Sequence, residues 1–353
     1  MRKKLKFNQR LKSIPDKLWT KIAQIDELKG EWTGGARLNP QLLGRLKKSV
    51  LVTSTGASTR IEGAKLTDEE IEKLIRGIGI QRFSDRDKQE VKGYYELLQN
   101  IFDSWKQIRF SESTIKHFHK DLLKFVEKDT LHRGEYKKRE NKVHMINEAG
   151  ESIGLLFDTT PAYLTPKEMQ ELVEWVQLAL KTKEIHPLFI VGNFIVEFLK
   201  IHPFQDGNGR LSRILTNLLL LQTGYQYAPY ISHEKLIEDN KADYYVALRS
   251  SQKTMGRKSE NIVQWLEFFF NILLTQAKMA IELLSDKNIE KHLTQKQLRV
   301  WEYLKGVQET SPAELSKQTN VARPTINQVL DKLIRLKKIE RIGLGRGTRY
   351  RVL

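Results

Sequence analysis

Residues 201–213 read IHPFQDGNGRLSR, and this one stretch supplies a base, a metal ligand, an anion-binding turn and two arginines. A histidine of near-neutral pKa can take a proton from a hydroxyl nucleophile. His202 is followed by Pro203 and Phe204, which restrict the backbone and wall the ring. Asp206 offers the hard oxygen that suits Mg²⁺, an ion usually bound through one or two carboxylates and substrate phosphates. Gly207-Asn208-Gly209 lets successive N–H groups point into one concavity, and the apolar spacing of Leu211, Ile214, Leu215 and Leu218 predicts that a helix begins there. Anion turn and positive helix end therefore coincide. Arg210 and Arg213, three apart, share a face of that helix and can fork onto phosphate oxygens.

Each part alone has an ordinary explanation: His-Pro is commonly a turn, Asp-Gly or Asn-Gly a hairpin, and helix arginines are mostly solvated. Eight fixed positions in a nine-residue pattern would coincide roughly once in 10¹⁰ windows if each were a one-in-twenty draw, which sets those explanations aside. HPFQDGNGR, from His202 to Arg210, resembles the HPFx(D/E)GN(G/K)R signature of the Fic domain family and matches it completely. The resemblance implies transfer of AMP from ATP to a protein hydroxyl, with pyrophosphate released. It makes His202 the catalytic base and Asp206 the holder of Mg²⁺. Gly207, Asn208 and Gly209 would take the α-phosphate side, Arg210 the β-phosphate and Arg213 the γ-phosphate. In relatives that act as kinases a lysine stands at the position of Gly209, so the glycine favours nucleotidyl transfer. In such chemistry the protein mainly places groups and offsets charge as the leaving group develops.

Upstream, Ser58-Thr59-Arg60-Ile61-Glu62-Gly63 resembles the (S/T)xxxE(G/N) inhibitory motif of Fic proteins with an N-terminal inhibitory helix. The resemblance implies that Ser58, Glu62 and Gly63 end that helix and that Glu62 reaches Arg213, neutralising the arginine the γ-phosphate needs. Read by itself, the hexapeptide is an ordinary helix C-terminus capped by Gly63. The same glutamate could align a water to remove AMP from a modified target, so addition and removal both stay open.

A chain of 353 residues holds two or three domains, at about 150 residues each. The boundaries expected are an N-terminal helical region at 1–105, a Fic core at 106–284 and a C-terminal domain at 285–353. Absence of cysteine excludes disulfides and thiolate chemistry. The basic start MRKKLKFNQRLK is followed by no apolar stretch, as a secretory signal would require, and IVQWLEFFFNILL carries Gln264, Glu267 and Asn271 and is too short to span a bilayer. A cytoplasmic location without a membrane partner is expected.

Most of the chain is predicted to be helical. Pro15 opens a helix ending at Gly30, Asn39-Pro40 opens one running toward Glu62, and Thr67-Asp68-Glu69-Glu70 is a capping box. Further helices are expected over 88–105, 111–126, 186–200, 240–252 and 259–283, with another opened by the capping pattern Thr165-Pro166-Lys167-Glu168 and the motif helix ending at Gly224. His186 is expected to be a structural residue at a helix start. Between Gly134 and Thr160, Val143, Met145 and Ile146 precede a turn at Glu148–Glu151 and then Ile153 to Phe157, which predicts a β-hairpin. By the resemblance this is the flap, whose Lys142, Val143, His144 and Met145 dock a target segment by strand addition. The resemblance likewise suggests Tyr244, Tyr245 and Gln252 for the adenine, although aromatics at such spacing commonly belong to a core.

Beyond the polar connector SDKNIEKHL, helices are expected over Thr294–Leu304, from Ser311-Pro312, and from Arg323-Pro324 with Ile326, Val329, Leu330, Leu333 and Ile334 on the buried side. Ile339–Ile342 and Thr348–Val352 then form a wing with Arg346 at its tip. This resembles the winged helix-turn-helix modules appended to some bacterial Fic proteins. Arg323, Thr325, Asn327 and Gln328 would face base edges, while Lys332, Arg335 and Arg346 suit phosphates. The chain carries net charge +17, and residues 292–353 contribute +8 of it from thirteen basic and five acidic residues. That imbalance favours duplex DNA over the alternative, a protein-binding winged helix.

The fold class expected is thus mainly α: a helical Fic core with a small β-hairpin flap, plus an α+β winged-helix domain. Two functions compete. One is an autoinhibited protein adenylyltransferase using ATP and Mg²⁺ on a Ser, Thr or Tyr hydroxyl of a protein, the chain itself included. The other is a DNA-binding transcriptional regulator whose Fic domain senses nucleotide or modifies itself. An intact base at His202 favours the enzyme, and a homodimer is compatible with both.

Overall fold

The computed structural model of the chain describes residues 5–35, 40–77, 86–127, 130–146, 152–257, 259–284, 293–335, 338–343 and 347–352. They fall into two compact units, one of residues 1–30 and 45–280 and one of residues 31–44 and 281–353.

The chain begins with α1 (Leu5–Gln9), α2 (Asp16–Gly35), α3 (Pro40–Ile61), α4 (Asp68–Ile75), α5 (Arg86–Ser104) and α6 (Glu112–Leu122). Thr67 caps α4 by accepting from the Glu70 N–H while the Glu70 carboxylate accepts from the Thr67 N–H, and Ser111 caps α6. Helix α2 runs past Gly30, where the sequence predicts its end. Its apolar stripe Leu18, Ile22, Ile25 continues at the same spacing to the buried Trp32, and one interior glycine costs a helix only about 1 kcal/mol.

Strands β1 (Lys142–Ile146) and β2 (Ser152–Asp158) form the expected antiparallel hairpin. Lys142 pairs with Asp158 and Val143 with Phe157, after which the register shifts between Val143 and His144 and again between Met145 and Ile146. Such bulges bend and twist an edge. The predicted turn at 148–151 lies outside the described residues, and Lys142, Val143, His144 and Met145 are placed by their backbone alone.

Helices α7 (Thr165–Thr182), α8 (Pro187–Ile201), α9 (Asn208–Gln222), α10 (His233–Asp239), α11 (Lys241–Gln252) and α12 (Val263–Leu284), the last as far as Ala280, complete the first unit. Thr165 does not cap α7 as the sequence suggests. A 3₁₀ turn over Ala162–Leu164 precedes it, Thr165 already has helical dihedrals, and its hydroxyl donates back to Pro161 O at 3.1 Å. His186 does cap α8, accepting from the Leu188 N–H through Nδ1 while Nε2 meets Asp26 at 2.9 Å. Apart from Lys200, every α8 residue from Leu188 to Ile201 is buried, as a helix apolar on all sides must be. Helix α9 lies against α5, α6 and α8. The loop from His202 to Gly207 therefore joins two core helices and has little freedom.

In the second unit Thr294, with Gln297 completing a capping box, starts α13 (Gln295–Lys305), Ser311 caps α14 (Pro312–Thr319), and α15 (Arg323–Arg335) precedes the antiparallel strands β3 (Ile339–Ile342) and β4 (Arg349–Val352). Thr310 adds one bridge to Tyr350. Val300, Trp301, Leu304, Leu315, Val321, Ile326, Val329, Leu330, Leu333, Ile339 and Tyr350 make the core of this unit. Arg346 lies outside the described residues, as does the side chain of Arg335. Among the described residues no helix is long and apolar enough to cross a membrane.

Candidate active site

The loop between α8 and α9 is shaped by its own side chains. Asn208, at the first position of α9, accepts the Phe204 N–H through Oδ1 at 2.9 Å and donates from Nδ2 to Phe204 O at 2.8 Å. This reciprocal pair occupies the Asn208 amide, so any hold on an α-phosphate comes from backbone N–H groups and not from that side chain. Gly207, at φ +77°, precedes the helix without a side-chain cap, so the first N–H groups of α9 keep their donor capacity for an anion. Leu211 N alone of that turn is engaged early, donating to Gly207 O.

His202 follows the last residue of α8 and opens the loop as the sequence suggests, in the left-handed region at φ 52° and ψ 60°. Its Nδ1 lies 3.3 Å from Leu199 O. A carbonyl only accepts, so Nδ1 carries the proton and Nε2 the lone pair. Burial pushes the ring down to about 4, against the opposing pull of the Leu199 carbonyl. A neutral, correctly protonated base results.

A second histidine, absent from the sequence reading, supports this loop. His119 of α6 accepts the Gly134 N–H through Nδ1 at 2.9 Å and therefore donates from Nε2 to Asp206 O at 3.0 Å. Its ring stacks on Phe204 with centroids 3.8 Å apart. Burial lowers its pKa to about 4, keeping it neutral. The signal available was its place on the buried stripe of Ile115, Phe118 and Leu122.

Asp206 and the arginines form one electrostatic chain. Asp206 Oδ2 accepts from Arg86 at 2.8 Å and from Arg210 at 3.1 Å. Arg210 Nη1 also meets Glu90 Oε2 at 2.6 Å, and Glu90 Oε1 meets Arg86 at 2.9 Å. Burial pushes the Asp206 carboxyl up, but Arg210, the Gly207 N–H and Arg86 outweigh it and hold it below its usual value. An ionised, hard carboxylate open on one side fits a Mg²⁺ ligand. Among the described residues no cluster of three metal-binding side chains exists, so such an ion would rest on Asp206 and on phosphate oxygens.

Arg213 is 2% exposed and faces the end of α3. Its Nε donates to Ser58 Oγ at 2.8 Å, and Nη2 donates to Ser58 O at 2.9 Å and to Glu62 Oε1 at 2.7 Å. Burial opposes the guanidinium charge, and the Glu62 carboxylate more than restores it. The predicted meeting of Glu62 with Arg213 is thus present, and so is the plain helix end. Ala64 N donates to Thr59 O and Gly63 N to Arg60 O around Gly63 at φ +102°, a Schellman cap that leaves Glu62 on the last helical turn. Arg60 fixes this end by forking onto Glu238 of α10 at 2.6 and 3.1 Å. Gly209 leaves room for the contact: a methyl there would meet Glu62 Oε1 and push that side chain aside.

Under α9 lies a buried polar set. Glu234 accepts from Tyr94 at 3.1 Å, Ser54 at 2.8 Å and Asn217 at 2.7 Å, joining α3, α5, α9 and α10. Tyr244 and Tyr245 stand beside the site. Their rings are 5.2 Å apart, and Glu62 and Arg213 act electrostatically on both. Tyr244 also packs on Trp265 and Phe268, so the core reading of this residue holds as well. Gln252 is buried against α8, where Nε2 donates to Val196 O at 3.4 Å. On α15, Arg323, Asn327 and Gln328 are exposed, Thr325 is half-buried and Lys332 donates to Gln297 at 3.0 Å.

Comparison with known proteins places these observations. A probable protein adenylyltransferase of Aquifex aeolicus is 24% identical over 250 residues, 68% of this chain and 71% of that protein. The protein adenylyltransferase Fic of Drosophila willistoni is 28% identical over 185 residues, 52% of this chain but only 34% of that protein, so the chain spans about a third of its length. The crystal structure of a Fic family protein from Desulfovibrio desulfuricans matches in fold with TM-score 0.63 and 24% identity, covering 97% of each chain. The Fic/DOC family model matches residues 109–220, which hold α6, the hairpin, α8, the motif loop and nearly all of α9. Over residues 109–220 the chain is therefore similar to the Fic/DOC family.

Proposed function

We propose that the chain transfers AMP from ATP to a Ser, Thr or Tyr hydroxyl of a protein, itself included, and that Glu62 restrains the reaction. The observation that carries this reading is the state of His202: half-buried, neutral and with its lone pair on Nε2, beside an α9 N-terminus rich in N–H donors. In the reaction the hydroxyl proton passes to His202 Nε2. The hydroxyl oxygen bonds to the α-phosphorus, the bond from that phosphorus to the bridging oxygen breaks, and pyrophosphate leaves. Arg210 and Arg213 offset charge on the leaving group. Asp206 would hold Mg²⁺, which when bound screens the phosphates. Tyr244 and Tyr245 flank the nucleotide, and the backbone of Lys142, Val143, His144 and Met145 offers the edge for a target strand.

The Glu62–Arg213 bond supports autoinhibition, because a carboxylate on that guanidinium competes with the γ-phosphate. The same glutamate would also orient a water for removal of AMP from a modified target. The domain plan that accompanies this reading is 1–105, 106–284 and 285–353, in a cytoplasmic protein able to form homodimers. A DNA-binding role is favoured by one specific observation. Helix α15 turns Arg323, Asn327 and Gln328 outward while Ile326, Val329 and Leu330 pack inward, as a recognition helix of a winged module requires.

The test uses the Glu62→Gly protein with α-labelled and γ-labelled ATP. Protein should take up the α label, not the γ label, and His202→Ala in the same background should take up neither. Uptake of γ label would make the chain a kinase, and undiminished α labelling by His202→Ala would remove the assigned base.

A further inference from the structure

Lys137 is 4% exposed, and among the described residues no carboxylate lies within ion-pair distance of it. Instead its Nζ donates to three oxygens from three segments: Ile201 O at 3.0 Å, Asn141 Oδ1 at 2.9 Å and Thr159 Oγ1 at 2.9 Å. Three donors on one head match three acceptors, which neither an amide nor a hydroxyl could supply. Asn141 directly precedes β1 and Thr159 directly follows β2, so the ammonium ties both feet of the hairpin to the residue before His202.

The surrounding bonds repeat the pattern. Lys137 N donates to Pro203 O at 2.8 Å, Asn141 Nδ2 to Phe204 O at 2.9 Å and Thr160 N to Lys200 O at 3.2 Å. The carbonyls of residues 200, 201, 203 and 204, on both sides of His202, are thus all held by the base of the hairpin. Thr159 Oγ1 also approaches Asn141 O at 2.8 Å and Asn141 Oδ1 at 2.7 Å, closing one foot on the other. A lysine buried among neutral oxygens is costly, and burial lowers it to about 8. A merely structural site would be served as well by an apolar side chain. The expense is explained if the two parts must keep a fixed distance.

We infer that Lys137 is a positioning residue, a clamp that holds the β1–β2 hairpin in register with His202 so that a hydroxyl borne by a strand docked on the hairpin meets the base. The inference rests on the AMP-transfer reading for its consequence, and on the hydrogen bonds alone for the clamp. Lys137 acts through the hairpin feet and the loop. Its loss should therefore spare nucleotide binding and transfer to water, which needs no docked strand, and should reduce transfer to protein.

The experiment compares Lys137→Met, which keeps the stem and removes the donors, with Thr159→Val and Thr159→Ser, all in the full-length Glu62→Gly protein. Amide hydrogen exchange is read in β1, β2 and α9. AMP incorporated into protein from α-labelled ATP is read against AMP released to water, together with ATP affinity. The clamp predicts exchange at least tenfold faster in β1 and β2 for Lys137→Met, with α9 within twofold. It predicts a partition shifted at least fivefold toward water at unchanged ATP affinity. Thr159→Val should move both readouts in the same direction by less, and Thr159→Ser should restore them, which decides the matter even if Lys137→Met does not fold. Unchanged exchange in β1 and β2, or equal acceleration in α9, would overturn the clamp. Absence of any AMP transfer by Glu62→Gly itself would instead sink the function proposed above, while the exchange data would still decide the clamp.

Discussion

Two helix starts in this molecule present cations and amides, and they are built in opposite ways. At α9, Asn208, Arg210 and Arg213 are buried, and each is gripped by a residue distant in sequence or by loop backbone: Phe204, Glu90 and Asp206, Ser58 and Glu62. At α15, Arg323, Asn327 and Gln328 stand exposed over a purely apolar underside. A buried guanidinium needs partners, because stripping one from such a pair typically costs about 3–5 kcal/mol, whereas an exposed one is nearly free of cost either way. The difference matches two tasks. Chemistry needs groups already held before the substrate arrives, and a surface that meets a flexible polyanion needs only charge in the right place.

Removing a group should therefore hurt most where it is gripped. His202→Ala in the Glu62→Gly background should reduce α-label transfer by at least about a hundredfold, the usual weight of a general base. A drop of less than tenfold would mean that the α9 side of the comparison holds structure and not chemistry. At α15 the expected behaviour is gradual. Binding of a labelled DNA duplex by the full chain should weaken by at least about tenfold between 50 and 200 mM salt, since counterion release drives such contacts. Arg323→Ala should weaken it further by about 1 kcal/mol. No binding at low salt would make this helix a protein-facing surface.

Asn208→Ala sharpens the comparison through stability. It strands the buried N–H of Phe204, whose C=O keeps only its bond from Asn141, a loss of about 1–3 kcal/mol read in the denaturant midpoint, whereas Asn327→Ala on α15 should change the midpoint by under about 0.5 kcal/mol. Equal effects would erase the distinction. The smallest effect concerns pH. Because burial puts His202 near 4, below the usual 6.5, the base stays unprotonated above that value. Labelling should vary by less than about twofold from pH 6 to 8 and fall only as pH approaches 4. The same depressed value means that the unfolded chain takes up a proton the folded chain refuses, so this group withdraws stability as pH falls from about 6.5 toward 4. A sharp loss of activity near 6.5 would contradict the burial argument.

What could be read in the sequence follows from range. Residues 202–213 are contiguous, and their chemistry shows in the order of side chains alone. The caps at Thr67 and Ser311 were legible because a cap is decided within four residues. Helix α10 was not, being a short turn whose reason lies in the Glu234 and Glu238 partners it offers to Ser54 and Arg60 far upstream. The grips on the site are also long-range: Glu90 to Arg210, His119 to Asp206 and Lys137 to Ile201 join residues that no local pattern relates. Thr165 carried the right residue type for one job and does another, because backbone geometry placed a closer partner first. Glu62 was legible only through its resemblance to a known motif. The residues themselves equally describe an ordinary helix end, and the structure contains that end too.

The central claim is that Glu62 restrains transfer by occupying Arg213. Self-labelling from α-labelled ATP, followed at equal Mg²⁺ and ATP in the wild type, Glu62→Gly and Glu62→Gly with Arg213→Ala, tests it most directly. Removing the carboxylate should raise the rate at least about tenfold, equivalent to about 1.4 kcal/mol of released restraint, and removing the freed arginine as well should abolish most of that gain. Equal rates for the wild type and Glu62→Gly, or a gain that survives loss of Arg213, would contradict the account.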